Sequence, residues 1–381
     1  MYQLKINNLS EQEFLTHFWQ KKPLLIKQGF SNFNDPIEAE ELAGLAMEQS
    51  IESRIVTNHN NDWQTHQGPF ENFELLTEEH STLLVQAVDH WHCEAAQLLE
   101  PFRFIPNWRI DDLMVSYSTP KGGVGPHLDQ YDVFIIQGEG KRHWRVGLPD
   151  PTLKQFAQNK KLLQVEPFEA VIDCILEPGD ILYIPPGCPH EGYAVENALN
   201  YSVGFRAPNQ QDLLSSFADH IIDTESGQKR YTDHNLTLRE SKGELTNLEV
   251  NKVKTLMAAL LENNELFKQW LGNTLSQAKH EMDLAPLEDE LSSDDTTQLL
   301  NDKNNVFERL GGVRAIYQIL ESAVLLSVNG ENYELPMSDL NAVKLLTDTS
   351  YFNSDDLMAH QPSLEFIKTF TTLVNEGIWY N

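Results

Sequence analysis

Short apolar runs dominate the middle of the chain, from Asp111 to Phe205. They are rich in β-branched and aromatic residues, and turns that contain glycine or proline separate them. The runs are LMVSYS, DVFIIQ, RHWRV, AVIDCI, DILYI and NYSVGF. Because no helical pattern lies between these predicted strands, we expect an antiparallel sandwich or barrel rather than a doubly wound parallel sheet.

Helical patterns dominate the first hundred residues. Ser10 and Glu13 have the spacing of a capping box for EQEFLTHFWQ, and Asp35 with Pro36 provides a cap and a first-turn proline for a second helix. Between these two helices, PLLIKQGF predicts a strand. A third helical pattern runs from Glu78 to Leu99. We therefore expect mainly helical elements in front of the strand-rich region.

Beyond the last predicted strand the pattern returns to helix, in DLLSSFADHIID and then through VNKVKTLMAALLENNELFKQWLGNTLSQA. The acidic, serine-containing stretch Leu287–Thr297 predicts a linker or a capped helix start. Asn329-Gly330 between apolar runs predicts a β-hairpin. Further helical segments follow from Ser338 and from Pro362. This end of the chain therefore predicts a small mixed domain similar to a winged helix.

Three potential metal ligands lie in the strand-rich region. In GPHLDQYDV, an extended backbone puts His127 and Asp129 on the same face, where both can reach one metal ion. His190 follows a strand and a rigid turn in PGDILYIPPGCPHEG, a position that can face this pair in a barrel. Two histidines and one carboxylate form the facial triad of non-haem iron(II) oxygenases, which leaves coordination positions open for a cosubstrate and dioxygen. Zinc hydrolases use similar ligands.

These motifs resemble those of the JmjC subgroup of cupin-fold oxygenases. The resemblance lies in HLD at 127–129, PGDILYIPPGCPH and NYSVGFRAP, and extends to RIDDLMVSYS, FNDPIEAEELAGLAMEQ and LLVQAVDHWH. It also includes the helical and winged-helix-like tail, and so spans nearly the whole chain. Within the subgroup, the chain is most similar to the bacterial ribosomal oxygenases, which hydroxylate an arginine of a large-subunit ribosomal protein.

The resemblance implies a mainly β catalytic core, a double-stranded β-helix (cupin jelly roll) of the JmjC type. It implies iron(II), dioxygen and the cosubstrate 2-oxoglutarate, which is oxidised to succinate and carbon dioxide. It further implies an arginine of the sixteenth large-subunit protein as the substrate, and a homodimer formed through the helical region. The expected domains are the catalytic domain with its N-terminal helical elements (1–208), the helical dimerisation region (209–285) and the winged-helix-like domain (286–381).

A carboxylate cosubstrate needs a cation inside the barrel, because a buried anion without a partner is very costly. Arg142 lies on the strand after HLDQYDVFIIQ, where the ribosomal oxygenases place an arginine, and its guanidinium can bind a carboxylate through two hydrogen bonds. Lys141 and Arg145 are nearby alternatives. Because side chains alternate along a strand, Arg142 shares a face with Trp144, and Lys141 shares the other with His143 and Arg145. Only one set can line the pocket.

Other polar residues are candidates for the cosubstrate pocket and for the substrate. The small polar residues that can line the cosubstrate pocket are Ser116, Asn200 and Ser202. The residues that can hold a cationic substrate are Asp111, Asp112, Tyr131 and Asp132. Each of these also fits an ordinary surface or turn position.

The charge balance favours a basic partner. The chain has 57 acidic and 28 basic side chains, for a formal net charge of -29. Such a surface repels nucleic acid phosphates and anionic membranes, and no basic patch offsets it, so we expect no direct binding of either. A basic ribosomal protein fits this charge.

Cysteine usage and the N-terminal sequence favour a reducing compartment. Cys93, Cys174 and Cys188 are neither an even disulfide framework nor a CxxC pair. MYQLKINNLSEQEF lacks the features of a signal peptide, and no later run is long enough to cross a bilayer. We therefore expect a soluble cytoplasmic protein.

Two other functions compete with the oxygenase hypothesis. The first is a cupin hydrolase or isomerase that uses zinc or manganese without a keto-acid cosubstrate. The second is a noncatalytic binding module that retains the fold. Arg142 as a carboxylate anchor distinguishes the oxygenase from the first, and the intact metal triad distinguishes it from the second.

Overall fold

A computed structural model describes residues 2–60, 62–159 and 162–381, with only the backbone at 158 and 159. Antiparallel strands form most of its N-terminal half, and mixed elements form the rest. The strands of the first half are β1 Leu24–Ile26, β2 Ser53–His59, β3 Asp62–Gln67, β4 Ser81–Val85, β5 Ile110–Ser118, β6 Val133–Gln137, β7 Arg142–Gly147, β8 Gln155–Asn159, β9 Leu162–Val165, β10 Ala170–Leu176, β11 Ile181–Ile184, β12 His190–Ala194 and β13 Ala198–Phe205. The helices are α1 Glu11–His17, α2 Ala39–Leu45, α3 Cys93–Ala96, α4 Gln210–Asp223, α5 Asn247–Leu261, α6 Asn264–Ser276, α7 Ser293–Asn301, α8 Leu340–Asp348, α9 Ser354–Met358 and α10 Leu364–Asn375.

Two sheets face each other and enclose the centre of the N-terminal half. The larger has eight strands in the order β1-β11-β6-β13-β5-β4-β2-β3, and the smaller has three in the order β10-β7-β12. Val133 and Ile135 of β6 pack against Trp144 and Val146 of β7 between the sheets. The opposite face of β6 carries Phe134 into a second core, shared with the N-terminal elements. β6 is therefore buried on both faces, which explains its continuous apolar run.

The structure confirms the antiparallel strands predicted in the middle of the chain. All six predicted runs contain strands, namely β5, β6, β7, β10, β11 and β13, and PLLIKQGF contains β1. The sequence pattern missed β12 and the hairpin of β8 with β9. β12 has the sequence HEGYA, whose glycine and charged residue hide a strand that is buried at nearly every position.

The mainly helical interpretation of the first hundred residues is wrong between residues 53 and 85. This segment forms β2, β3 and β4, which extend the large sheet beyond β5. β4 is buried at every position, so it shows no period of two, and periodicity cannot distinguish such a short apolar run from a helix. Between β4 and β5 the described residues form short helices: α3 and the 3-10 helices Val88–His90, Gln97–Phe102 and Asn107–Arg109.

Of the two predicted N-terminal caps, one is confirmed and the other is wrong. Ser10 and Glu13 form the capping box of α1, with Glu13 N donating to Ser10 Oγ over 3.2 Å. α2 begins after Glu38 rather than at Asp35. The carboxylate of Asp35 accepts a hydrogen bond of 2.8 Å from the Tyr201 hydroxyl, so it holds a core tyrosine instead of capping a helix.

The C-terminal part contains the predicted helices and hairpin. Its strands are β14 Val306–Arg309, β15 Ala315–Ile319, β16 Ala323–Val328, β17 Glu331–Pro336, β18 Tyr351–Asn353 and β19 Trp379–Tyr380, and a 3-10 helix spans Met337–Asp339. Asn329 and Gly330 both have positive φ, 48° and 88°, and join β16 to β17 in the predicted hairpin. Ser292 caps α7 inside the acidic stretch, and Ser363 caps α10. Among the described residues, no helix has the length and apolar character needed to cross a membrane.

A cluster of ionic contacts at Asp111 joins the two halves. Asp111 lies on β5 in the large sheet, and its carboxylate accepts hydrogen bonds from Arg206 at 3.1 Å and Arg314 at 3.2 Å. Lys279, which follows α6, donates to the same carboxylate. Arg314 precedes β15 of the C-terminal part. One largely buried carboxylate thus holds three cations from different parts of the chain.

Candidate active site

The three predicted metal ligands meet at one end of the cavity between the sheets. His127 and Asp129 lie in the loop before β6, and His190 begins β12. The backbones of His127 and His190 form an antiparallel bridge, in which each N–H donates to the other carbonyl over 3.0 Å. One ligand atom from each of the three side chains lies within 4.8 Å of the others. This spacing fits a single metal ion.

Backbone carbonyls orient both imidazoles. His127 Nδ1 lies 2.9 Å from the carbonyl of Gly125, and His190 Nδ1 lies 3.0 Å from the carbonyl of Cys188. Each carbonyl fixes a proton on Nδ1 and leaves Nε2 free to coordinate. Burial, with the nearby His127, lowers the pKa of His190 to about 4, so its imidazole is neutral at pH 7. Two imidazoles and one carboxylate form the ligand set that suits iron(II).

Arg142 lies at the far end of the same cavity. Its side chain is 4% exposed and donates from Nη1 to Asn200 Oδ1 over 3.0 Å and to Ser116 Oγ over 3.4 Å. Among the described residues it forms no ion pair, its Nε has no partner, and burial lowers its pKa to about 10. An uncompensated cation in a closed pocket favours an anionic ligand.

Of the three candidate anchors, Arg142 lines the cavity and the two alternatives do not. Lys141 Nζ pairs with Glu177 at 2.7 Å on the surface, and Arg145 pairs with Glu191 and Asp173. Strand alternation therefore turns Arg142 and Trp144 inward, as one of the two predicted arrangements requires. Lys141 and Arg145 have carboxylate partners of their own and face away from the cavity.

The cavity has a volume of about 430 Å³ and connects the triad to Arg142. Of the predicted cosubstrate residues, Ser116, Asn200 and Ser202 all line it. Asn200 is fixed by donating from Nδ2 to Gln137 Oε1 over 3.1 Å, so its carbonyl oxygen is held toward Arg142. These positions are where a cosubstrate that bridges Arg142 and the metal would lie.

Three of the four predicted substrate residues line the cavity, and Asp132 does not. Asp111, Asp112 and Tyr131 are in its wall. Asp132 is fully buried behind the metal loop, where it accepts hydrogen bonds from the Tyr183 hydroxyl at 2.6 Å and from Arg109 at 3.1 Å. Its expected role in holding a cationic substrate is therefore wrong, because the side chain points away from the cavity and anchors the loop to the N-terminal core.

Asp112 is a buried carboxylate without a cation. One oxygen accepts hydrogen bonds from Gln86 Nε2 at 2.6 Å and from the Ala87 N–H at 3.0 Å. Burial, together with the carboxylates of Asp89 and Asp111, raises the pKa of Asp112 above its ordinary value. Within the described residues it forms no ion pair, so a cation that entered the cavity would relieve this cost.

Sequence reasoning missed several cavity residues. Arg54 comes from β2, and Lys279 and His280 come from the segment after α6. Lys279 and His280 are more than 140 positions from the metal ligand His127 in sequence, and no motif marks them. Arg54 was hidden because its strand was not recognised.

Two facing antiparallel sheets, a histidine-rich triad and an arginine at the opposite end of one cavity define the JmjC class of cupin-fold oxygenases. Family models agree: the JmjC domain matches residues 97–213, and the ROXA-like winged helix matches residues 259–380. The chain belongs to the ribosomal oxygenase family of JmjC proteins, as the following likenesses show. Neither competing function, the cupin hydrolase or isomerase and the noncatalytic module, is supported by them.

The chain is 47% identical to the ribosomal protein uL16 3-hydroxylase of Escherichia coli (strain K12), over 100% of this chain and 99% of that protein. It is 31% identical to a probable ribosomal oxygenase of Haemophilus influenzae, over 90% of this chain and 86% of that protein. A solved structure of YcfD, a ribosomal oxygenase from Escherichia coli, in complex with cobalt and 2-oxoglutarate matches with a TM-score of 0.89 and 46% identity. That match covers 100% of this chain and 99% of that chain.

Proposed function

We propose that this chain is an iron(II)- and 2-oxoglutarate-dependent oxygenase that hydroxylates an arginine side chain of the large-subunit ribosomal protein uL16. The observation that carries the proposal is the charge pattern of one cavity. The cavity has the metal triad at one end, the cation Arg142 at the other and the carboxylate Asp112 in its wall, and neither charge has an ion-pair partner among the described residues. An anionic cosubstrate and a cationic substrate would satisfy both charges.

In this proposal His127, Asp129 and His190 hold the iron and leave the remaining positions open. Bound iron(II) and 2-oxoglutarate supply the activation of dioxygen that the protein's side chains cannot perform. Arg142 binds the distal carboxylate of the cosubstrate through charge-assisted hydrogen bonds, and Ser116 and Asn200 hold the guanidinium in place. The protein thereby fixes the cosubstrate's direction along the cavity.

Asp112 would orient the substrate. Its carboxylate can accept hydrogen bonds from a guanidinium, while Gln86 and the Ala87 N–H keep the carboxylate from rotating. Tyr131 is 44% exposed in the same wall and can pack against the aliphatic part of an arginine. These contacts would hold one side-chain carbon next to the metal, and such positioning is the protein's main contribution to the reaction.

The charge of the whole chain supports a basic polypeptide substrate. A formal net charge of -29 attracts a basic ribosomal protein over long distances and accelerates its association. The E. coli relative is named as a hydroxylase of uL16. We propose that the same protein is the partner here.

We also propose a homodimer through the helical region. Large apolar side chains on α4, α5 and the segment between them are exposed in the single chain: Leu214, Ile222, Leu236, Leu238, Leu245, Leu248 and Met257. Leu238 is fully exposed, and Ile222 is 71% exposed. Large exposed apolar side chains concentrated in one part of a chain are typical of a protein–protein interface.

The experiment that tests the activity measures succinate. Purified protein with iron(II), ascorbate and 2-oxoglutarate is incubated with and without purified uL16. The proposal predicts that succinate formation requires iron and rises strongly when uL16 is added. If uL16 does not stimulate turnover although iron and 2-oxoglutarate bind, the substrate assignment fails and the oxygenase assignment survives.

A further inference from the structure

The active-site cavity extends onto strands that carry neither the triad nor Arg142 nor Asp112. The residues that line this region are Arg54 and Val56 of β2, Thr65 of β3, and Leu162 and Leu163 of β9. We call this region the side arm. Strands β2 and β3 precede residue 97, where the match to the JmjC domain begins, so the side arm lies on an extension of the common sheet.

Strand register fixes the distance between the side arm and the cosubstrate pocket. Arg54 pairs with Leu84, Leu84 with Ser116, and Ser116 with Asn200, so all four lie in one row across the large sheet. Neighbouring strands are about 4.8 Å apart, which places Arg54 roughly 10 Å from Ser116. An extended polypeptide advances about 3.3 Å per residue. Arg54 is also close enough to Tyr131, which would contact the target arginine, for its charge to act on the Tyr131 hydroxyl. A residue one or two positions from the target arginine can therefore reach the side arm.

Strand β9, which lines the side arm, is hydrogen-bonded to the loop that carries the metal ligand His127. The hairpin of β8 and β9 packs beside β3, and Gln164 donates from Nε2 to the carbonyl of Val124 over 3.2 Å. The Val165 N–H donates to the carbonyl of Pro126 over 2.9 Å, directly before His127. Whatever fills the side arm is therefore held at a fixed position relative to the metal.

The walls indicate what the occupant is. Val56 and Leu84 are buried apolar floor residues, and Leu163 is 53% exposed above them. Such a surface is suited to an apolar side chain. The guanidinium of Arg54 has neither a hydrogen bond nor an ion pair with a described residue, although Arg54 lies in the cavity wall. A basic substrate offers few carboxylates. A main-chain carbonyl of the substrate is therefore the group that would accept a hydrogen bond from Arg54.

We infer that the side arm binds an apolar residue adjacent to the target arginine in the substrate polypeptide, and that Arg54 donates hydrogen bonds to a main-chain carbonyl of the same segment. This inference rests on the proposed function. It adds a specificity determinant: the protein selects its arginine by a neighbouring apolar side chain as well as by the guanidinium.

The test uses the full chain and a uL16 peptide that contains the hydroxylated arginine. Each residue within two positions of that arginine is replaced in turn by serine, and KM and kcat for the peptide are measured. We expect one apolar-to-serine replacement to raise KM about tenfold, the usual effect of losing a side chain from an apolar pocket. Leu163→Ser should raise KM for the original peptide by a similar factor, with kcat changed less than twofold.

Combining the serine replacement in the peptide with Leu163→Ser in the protein tests whether the two side chains contact each other. In the Leu163→Ser variant, the apolar-to-serine replacement in the peptide should raise KM further by less than about threefold. The reason is that this variant has already lost the side chain that the peptide residue contacts. Val171→Ser is the matched control: Val171 is 55% exposed on β10, outside the cavity, and this variant should keep the wild-type pattern over the whole peptide series. Arg54→Met should raise KM for every peptide by a similar factor, because a main-chain contact does not depend on the side chain.

Three results would overturn the inference. In the first, Leu163→Ser behaves like Val171→Ser. In the second, the penalties of the peptide and protein changes multiply. In the third, Arg54→Met leaves KM unchanged for all peptides. These three results would leave the proposed function intact. If instead the wild-type protein oxidises neither uL16 nor its peptides, both the proposed function and the inference about the side arm fail.

Discussion

Alternation along β7 decides the role of each cation in KRHWRV. Arg142 and Trp144 point into the cavity, and Lys141 and Arg145 pair with surface carboxylates. The sequence reduced the choice to two sets of residues but could not decide between them, because a strand with charges on both faces has no apolar side that marks the interior. The resemblance to the ribosomal oxygenases favoured Arg142, and Arg142 belongs to the set that faces the cavity.

Arg142→Ala should raise the KM for 2-oxoglutarate about 100-fold, since the variant loses a buried charge-assisted pair of hydrogen bonds. Arg142→Lys keeps the charge without the planar geometry and should recover part of the affinity. Arg145→Ala is the control, because Arg145 pairs with carboxylates outside the cavity. Steady-state kinetics over a range of 2-oxoglutarate concentrations gives the answer. An unchanged KM in the alanine variant would remove Arg142 from the cosubstrate site.

Asp112→Asn should raise the KM for uL16 by about 30-fold or more, because a buried carboxylate–guanidinium contact loses its charge while the shape is kept. The KM for 2-oxoglutarate should change less than twofold. Asp173→Asn, at an exposed carboxylate on the outer sheet, serves as the control. Equal effects of Asp112→Asn on both KM values would point to a general disturbance of the cavity instead of a substrate contact.

The misplaced Asp132 shows where residue-level prediction stops. It was a candidate for holding a cationic substrate, but the loop turns its side chain toward Tyr183 and Arg109. Loop direction depends on partners that are distant in sequence. No local pattern contains that information.

At the scale of elements, the strands around the site could be predicted from the sequence. The strands β2, β3 and β4, which extend the large sheet beyond β5, could not. The runs that form β5, β6, β7 and β11 have clear turns on both sides, whereas β4 is buried on both faces and lacks alternation. Because this part of the chain was interpreted as helical, the strands β2 and β3 were also not predicted, and neither was the position of Arg54 on β2. The side arm of the cavity therefore became visible only in the structure.

The junction between the two halves depends on Asp111, which binds Arg206, Lys279 and Arg314. Asp111→Asn should lower the free energy of unfolding by about 3 kcal/mol at pH 7, because it leaves buried cations uncompensated. Chemical denaturation of both proteins measures this difference. Asp173→Asn should have a much smaller effect, because that carboxylate is exposed.

The same pair of proteins gives a pH dependence with a defined sign. Burial opposes ionisation of Asp111, but the hydrogen bond from Lys279 and the charges of Arg314 and Arg206 outweigh it and lower its pKa. A lowered pKa contributes stability above the ordinary aspartate value of about 3.9, and this contribution is lost as the pH falls through the folded-state pKa. The difference between wild type and Asp111→Asn should therefore shrink below about pH 4. A difference that grows on acidification would contradict this account of the junction.

At the scale of the whole molecule, the exposed apolar side chains of α4 and α5 predict self-association. Ile222→Asp places a charge among these side chains, at a residue that is 71% exposed, and should convert the proposed dimer into a monomer. Light scattering coupled to size-exclusion chromatography measures the mass of each species. Leu364→Asp changes an equally exposed residue at the start of α10 and should leave the mass unchanged. A wild-type protein that is monomeric at micromolar concentration would contradict the proposal.

The central claim is hydroxylation of an arginine of uL16, and the mass of uL16 after incubation tests it most directly. Purified uL16 is treated with this protein, iron(II), 2-oxoglutarate and ascorbate, and then measured intact and as peptides by mass spectrometry. The account predicts the gain of one oxygen atom on one arginine, and no gain when His127→Ala replaces the wild-type protein. An unchanged mass of uL16, or an oxygen on a residue other than arginine, would contradict it.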